Sequence, residues 1–339
     1  MKIWLSLFVV LTTLLGCSPR GSEKTEVDAN RVVLAYVTSW SQIMPDPAYV
    51  THVNYAFGHV NDGFNGVRID NEERLKSIVA LKRESPFLKV LLSIGGWGSG
   101  RFSEMAADEA NREAFAADCG RVVEQFGLDG IDMDWEYPTS SSANISSSPD
   151  DTRNFTLLMQ DIRKVIGPGK LLTFASAANA CYVDFKAVEP YVDFVNIMTY
   201  DMARPPFHHA GLYRSSFTQH HSVEESVDLH VNAGIPANKL VLGIPFYGRG
   251  SHGVPNFIDY KDIIKLTDFT PHWDDVAKAP YLTDKDDTFV CTYETPRSIA
   301  YKCAFLREKG MRGAMYWDYN GDDEQGTLRK AVYKGVTAD

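Results

Sequence analysis

Eight short runs of apolar, often β-branched residues punctuate the chain, at 32–37, 53–57, 90–94, 130–136, 171–175, 192–198, 240–246 and 313–317. Each has the length of a strand. Most are followed by a segment whose apolar residues return every three or four positions, the spacing of one helix face. After the third run Phe115, Cys119, Val122, Val123 and Phe126 share such a face, and after the fourth Phe155, Leu158, Met159, Ile162 and Ile166 do. Strand and helix therefore alternate, and each helical stripe needs a sheet to cover.

Two architectures accept this alternation, an open doubly wound sheet and a closed barrel. The open sheet would carry a glycine-rich turn after its first strand if it bound a dinucleotide, whereas that position reads Tyr36-Val37-Thr38-Ser39-Trp40. A count of eight strands is what a barrel requires. The predicted fold is therefore α/β, a (β/α)8 TIM barrel over residues 31–336. One interval is too long for the repeat: between the seventh and eighth runs only 297–309 has the pattern of a barrel helix. About 250–294 is read as a small insertion between strand 7 and helix 7, on the rim where barrels vary their loops. The serine-rich stretch 139–148 is a loop directly after the fourth strand.

Residues 1–30 stand apart from this pattern. Lys2 precedes an apolar run at 3–15 that is too short to span a bilayer and has the length of a signal-peptide core. The run ends in Leu14-Leu15-Gly16-Cys17, which resembles a bacterial lipobox. Residues 1–17 are read as a lipoprotein signal peptide with Cys17 as the lipidated residue, and 18–30 as a flexible polar tether. The expected location is the bacterial cell envelope, at the outer membrane or in the periplasm, with the lipid as the sole membrane attachment. In that oxidising setting Cys119, Cys181, Cys291 and Cys303 can pair, although their spacing neither requires disulfides nor fits a zinc site. Cys119, on its apolar helix stripe, is expected as a buried free thiol.

Composition narrows the partners. Lys and Arg number 34 against 44 Asp and Glu, a net charge of −10 that disfavours nucleic acids and other polyanions. Six Trp, sixteen Tyr and eighteen Phe suit a neutral ligand read through ring faces. No metal or cofactor is expected, and the chain is expected to act as a monomer.

The densest chemistry lies in Asp129-Gly130-Ile131-Asp132-Met133-Asp134-Trp135-Glu136-Tyr137-Pro138. On a strand Asp132, Asp134 and Glu136 share one face, about 6.6 Å apart in succession, while Ile131, Met133 and Trp135 take the other. Such a row of carboxyls is costly through desolvation and mutual repulsion, and proton sharing relieves the cost. A calcium loop would need Gly at its sixth position and Glu at its twelfth, which this segment lacks. A solvated acidic face would not alternate with Ile, Met and Trp.

The acids follow the pattern D-x-x-D-x-D-x-E, and the chain resembles glycoside hydrolase family 18, the family of chitinases and endo-β-N-acetylglucosaminidases. The resemblance covers about residues 31–325. It includes Ser93-Ile94-Gly95-Gly96 with Trp97, Met198-Thr199-Tyr200-Asp201, Pro245-Phe246-Tyr247-Gly248-Arg249 and Met315-Tyr316-Trp317. It implies that Glu136 protonates the glycosidic oxygen and later activates water. In this family the substrate's own acetamido oxygen is the nucleophile, so Asp134 would accept the acetamido N–H, Tyr200 would donate to its oxygen, and Asp132 would share a proton with Asp134. Trp317 would form the floor beneath the sugar, with Trp97, Asp201, Tyr247 and Arg249 touching that sugar or its neighbours. Tyr137, Met198, Tyr36 and Phe57 would line the same pocket, and Asp129 is expected to be structural.

The implied activity is retaining, substrate-assisted hydrolysis of β-1,4-linked N-acetylglucosamine in chitin or chitooligosaccharides. The partner is then an N-acetylglucosamine oligosaccharide or polysaccharide. The same acids would serve an endo-β-N-acetylglucosaminidase acting on N-glycans. A non-catalytic sugar-binding lectin is the reading from another class, and the presence of Glu136 argues against it.

Overall fold

The computed structural model describes residues 31–338. The signal peptide at 1–17, the lipidation site Cys17 and the tether at 18–30 lie outside the described residues. Eight strands carry the fold: β1 Val32–Thr38, β2 His52–Val60, β3 Lys89–Gly95, β4 Gly130–Asp134, β5 Leu171–Ala177, β6 Phe194–Met198, β7 Leu240–Pro245 and β8 Gly313–Trp317. Each pairs in parallel with the next in sequence, and β8 returns to β1 with Gly313 opposite Val32, which closes the barrel.

Strand alternation sorts the side chains into two cores. Val32, Leu34 and Tyr36 of β1 meet Phe57, Phe194, Val241 and Met315 in one cluster, the barrel interior. Val33, Ala35 and Val37 belong instead to the larger core between barrel and helices, as do Ile131 and Met133 of β4 and Trp135 just after it. The helices Glu109–Phe126 and Asp151–Ile166 pack on each other and bury Phe115, Cys119, Val122, Val123 and Phe126 from one, and Phe155, Leu158, Met159 and Ile162 from the other. Burying each large apolar side chain contributes about 1.5–3 kcal/mol, so these stripes hold the helices to the sheet.

The repeat departs from the ideal in three places. The connection from β1 to β2 contains no helix, and the C-terminal helix Thr327–Thr337, which buries Leu328, Val332 and Val336, packs against β1 and β8. After β5 the helix is a single turn, Phe185–Val188. Between β7 and the helix Pro296–Glu308 stands a five-stranded antiparallel sheet of Tyr247–Gly250, Ile258–Asp259, Thr270–Asp274, Ala279–Thr283 and Phe289–Thr292. All four cysteines of the described residues are free thiols, with Cys119, Cys291 and Cys303 buried and Cys181 exposed.

Candidate active site

The C-terminal ends of the strands surround a cavity of about 940 Å³. Asp134, Glu136 and Tyr137 enter it from the end of β4, Tyr36 and Phe57 from β1 and β2, and Trp97 from just after β3. Met198, Tyr200 and Asp201 enter from the end of β6, Tyr247 and Arg249 from the first strand of the insertion, and Trp317 from β8. Asp132 alone among the expected residues does not line the cavity, because it is fully buried one inward position deeper on β4. β4 itself stops at Asp134, two residues short of Glu136. Non-proline cis peptides occur at Ala56–Phe57, Glu136–Tyr137 and Trp317–Asp318.

The interior position of Asp132 is matched by four donors. Tyr36 Oη and Ser93 Oγ each lie 2.8 Å from its Oδ2, while Thr173 Oγ1 at 2.6 Å and Asn196 Nδ2 at 3.0 Å meet its Oδ1. Burial raises the Asp132 pKa above the usual carboxylate value, and these four hydrogen bonds oppose the rise. Among the described residues there is no direct Asp132–Asp134 hydrogen bond beside these four contacts. Asp134 Oδ1 is buried without any hydrogen-bond partner among the described residues. Burial, then the charges of Glu136 and Asp132, push its carboxyl well above the ordinary range.

Glu136 is pushed up to about 7, chiefly by burial, with the Tyr137 hydroxyl opposing and the Asp201 charge adding to the rise. Because the charge of Glu136 raises the Asp134 carboxyl, the two titrate as a unit, and a proton held by one leaves the other free to ionise. The Tyr200 hydroxyl is kept protonated by burial and by the neighbouring charges of Asp134 and Glu136. Its one hydrogen bond among the described residues is a weak one to Met315 Sδ at 3.9 Å, so the O–H is available to a ligand.

Asp201 adopts a left-handed backbone, φ 57. Arg249 grips its carboxylate with Nε at 2.6 Å and Nη2 at 2.5 Å. Burial would raise this carboxyl, but the nearby His209 and the hydrogen bonds and charge of Arg249 outweigh burial and hold it below its usual range.

The walls are aromatic. Trp317 stacks on Phe57 with ring centroids 5.7 Å apart and lies 5.7 Å from Tyr36. Trp97, Tyr137 and Tyr182 form a series along one side, the two tyrosines stacked at 4.9 Å. Trp40 and Trp97 are 62% and 63% exposed, leaving free indole faces at the rim, the usual platform for a sugar's apolar face. Gly95 and Gly96 keep the floor clear. A Cβ on Gly95 would stand 2.0 Å from the Asp134 carbonyl oxygen, and one on Gly96 would stand 2.7 Å from the Phe57 ring.

Sequence reasoning missed Trp40, Tyr182, Phe257, Arg204, His220 and His221, which line the cavity from loops without periodic signal. Thr173 and Asn196 carried a readable signal, as polar residues inside the apolar runs of β5 and β6. Asp129 has the structural place expected of it, accepting from Lys82 Nζ at 2.6 Å and from the Val90 N–H at 2.8 Å. Among the described residues no group of His, Cys, Asp and Glu is arranged to hold a metal ion.

Residues 32–322 match the family model described as Glycosyl hydrolases family 18. Chitinase A1 of Niallia circulans is 28% identical over 424 residues, covering 95% of this chain and 61% of the relative, so the chain spans less than two thirds of that protein. Chitinase 1 of Aphanocladium album is 31% identical over 304 residues, covering 79% of this chain and 70% of the relative. Among solved structures, a family 18 N-acetylglucosaminidase from Paenibacillus barengoltzii superposes with a TM-score of 0.83 at 36% identity, covering 90% of this chain and 99% of the other.

Proposed function

The chain belongs to glycosyl hydrolases family 18, and on that premise we propose that it hydrolyses β-1,4 linkages between N-acetylglucosamine units of chitin or chitooligosaccharides, with retention of configuration. The observation that carries the reading is Asp134 Oδ1, a buried acceptor without a partner in the wall of a cavity that also holds Glu136 and Tyr200. An unpaired buried polar atom costs about 1–3 kcal/mol. An acetamido N–H seated against Asp134 removes that cost, and the Tyr200 O–H takes the acetamido oxygen.

Held between those two groups, the acetamido oxygen attacks the anomeric carbon while Glu136 donates its proton to the leaving glycosidic oxygen. The bond to the leaving sugar breaks, and a cyclic oxazolinium ion forms with Asp134 accepting its N–H. Glu136, now a carboxylate, takes a proton from water, which opens the ion and restores the acetamido group. Asp132 and its four donors form a fixed polar base beneath Asp134. Trp317, on Phe57 and Tyr36, is the apolar floor under the sugar, and Asp201, Tyr247, Arg249 and Trp97 contact it or its neighbours.

A second reading, release of single N-acetylglucosamine residues, is favoured by the likeness to the Paenibacillus barengoltzii N-acetylglucosaminidase. Product analysis on chitotetraose tests both: disaccharide as the first product supports the chitinase reading, monosaccharide the second, and no cleavage would refute the family activity for this chain. Glu136→Gln is expected to abolish most hydrolysis while oligosaccharide binding stays measurable. We also propose that Cys17 anchors the protein to the cell envelope. Incorporation of radiolabelled palmitate, lost in Cys17→Ser, is the expected result, and equal labelling of both forms would refute the anchor.

A further inference from the structure

His209 has no part in the steps above, yet it is completely buried under Asp201, and neither ring nitrogen has a hydrogen-bond partner among the described residues. Burying an imidazole with both nitrogens unpaired is unfavourable, and buried polar groups are nearly always bonded. Its Nδ1 lies 3.6 Å from Asp201 Oδ1, about half an ångström beyond an ordinary N–H···O contact. The residue also ties two elements together: its N–H donates to Thr292 Oγ1 at 3.3 Å, and its carbonyl accepts from the Met202 N–H at 3.1 Å. The imidazole packs edge-on against the Tyr247 ring, centroids 5.4 Å apart.

The charged groups facing this ring come from three elements. Asp201 lies on the loop after β6. Glu294 follows the last strand of the insertion, and Lys302 projects from the helix Pro296–Glu308. Glu294 and Lys302 form an ion pair that is itself fully buried, and Ser298 Oγ donates to the second Glu294 oxygen at 2.6 Å. Burial lowers the His209 pKa, and the opposing pull of Asp201 and Glu294 does not restore it, so the ring is neutral near pH 7. A neutral ring has one N–H to give, and Asp201 is the acceptor in reach.

We propose that His209 is a positioning residue for the reaction: its Nδ1–H is the interior donor that fixes Asp201 opposite the Arg249 fork, with the buried Glu294–Lys302 pair as its backing. Asp201 needs this because its left-handed backbone is one that non-glycine residues rarely adopt. A carboxylate gripped from one side by arginine can pivot when a sugar hydroxyl competes for it. Held from both sides, it presents a fixed anion to the sugar and to Glu136. The proposal rests on the functional reading above in one respect, that Asp201 touches the substrate.

Two substitutions separate positioning from space filling. His209→Asn keeps an N–H donor near the Nδ1 position but loses ring volume, whereas His209→Phe keeps the ring and loses both nitrogens. Positioning predicts that His209→Phe lowers kcat/KM on chitotetraose about tenfold or more, while His209→Asn stays closer to the unmodified enzyme. It also predicts that the acidic limb of the kcat/KM profile moves to higher pH in His209→Phe alone, because Asp201 loses a donor to its charged form. Equal losses, or a better His209→Phe, would overturn the proposal. Nitrogen-15 NMR of the imidazole in the unmodified protein gives a readout independent of both folding of the variants and turnover. A neutral ring protonated at Nδ1 is expected at pH 7, and protonation at Nε2 instead would overturn the assignment. A chain that fails to cleave chitotetraose would sink the functional reading and leave this NMR result to decide the place of His209.

Discussion

Tyr36 and Asp132 face each other across the barrel interior, from β1 and β4, and are joined by a hydrogen bond of 2.8 Å. With Ser93 from β3, Thr173 from β5 and Asn196 from β6, this bond makes a single buried carboxyl the meeting point of five strands. The proposed catalytic groups Asp134 and Glu136 therefore stand just beyond a polar base tied to five strands of the barrel.

Tyr36→Phe removes one of the four donors while keeping the ring that supports Trp317. A hydrogen bond to a charged group contributes about 1.5–3 kcal/mol, so kcat on chitotetraose is expected to fall by about tenfold to a hundredfold. The melting temperature should move by only a few degrees, roughly as expected for a conservative core change. Steady-state kinetics beside a thermal melt make the check, and an unchanged kcat would show that the Asp132 network is dispensable.

In the proposed mechanism Glu136 acts as an acid in its protonated form. With its pKa pushed up to about 7 by burial first, activity should decline as pH rises through about 7. The same shift links to stability. The folded value exceeds the unfolded 4.5, so the contribution is fully present below about 4.5 and is lost as pH climbs to about 7. Glu136→Gln abolishes that loss. At pH 8 the variant should be more stable than the unmodified chain by about 2 kcal/mol, allowing for partial exposure of the group, and this advantage should vanish at pH 4. Urea denaturation at the two pH values measures it, and an equal difference at both would contradict the assigned shift.

Gly95 has φ 133, and a Cβ there would meet the Asp134 carbonyl oxygen at 2.0 Å, a backbone atom that cannot step aside. Gly95→Ala is expected to cost about 2 kcal/mol or more and to lower both melting temperature and turnover, because the displaced strand end carries Asp134. A variant with normal stability and activity would show that the strand ends are looser than drawn.

Most of the scaffold was legible because parallel strands covered on both faces read as continuous apolar runs, and the runs at 240–246 and 313–317 fall on β7 and β8 almost residue for residue. The acids were legible because a period of two separates Asp132 and Asp134 from Ile131 and Met133. Long-range partners were hidden. Arg249 meets Asp201 across 48 positions of sequence, and Tyr36 meets Asp132 across 96. The small sheet of the insertion was hidden too: its outer strand, Thr270–Asp274, carries a proline and mixed polarity, as short edge strands do. Loop residues such as Tyr182 and His220 reach the cavity through tertiary geometry that leaves no periodic mark.

In the proposed mechanism the substrate's acetamido group, seated between Asp134 and Tyr200, performs the attack. Initial rates on chitotetraose and on its fully deacetylated counterpart, measured side by side at saturating concentration, test it most directly. A loss of at least about a thousandfold is expected on the deacetylated chain, the scale of a lost well-oriented intramolecular nucleophile. Comparable rates on the two substrates would contradict it.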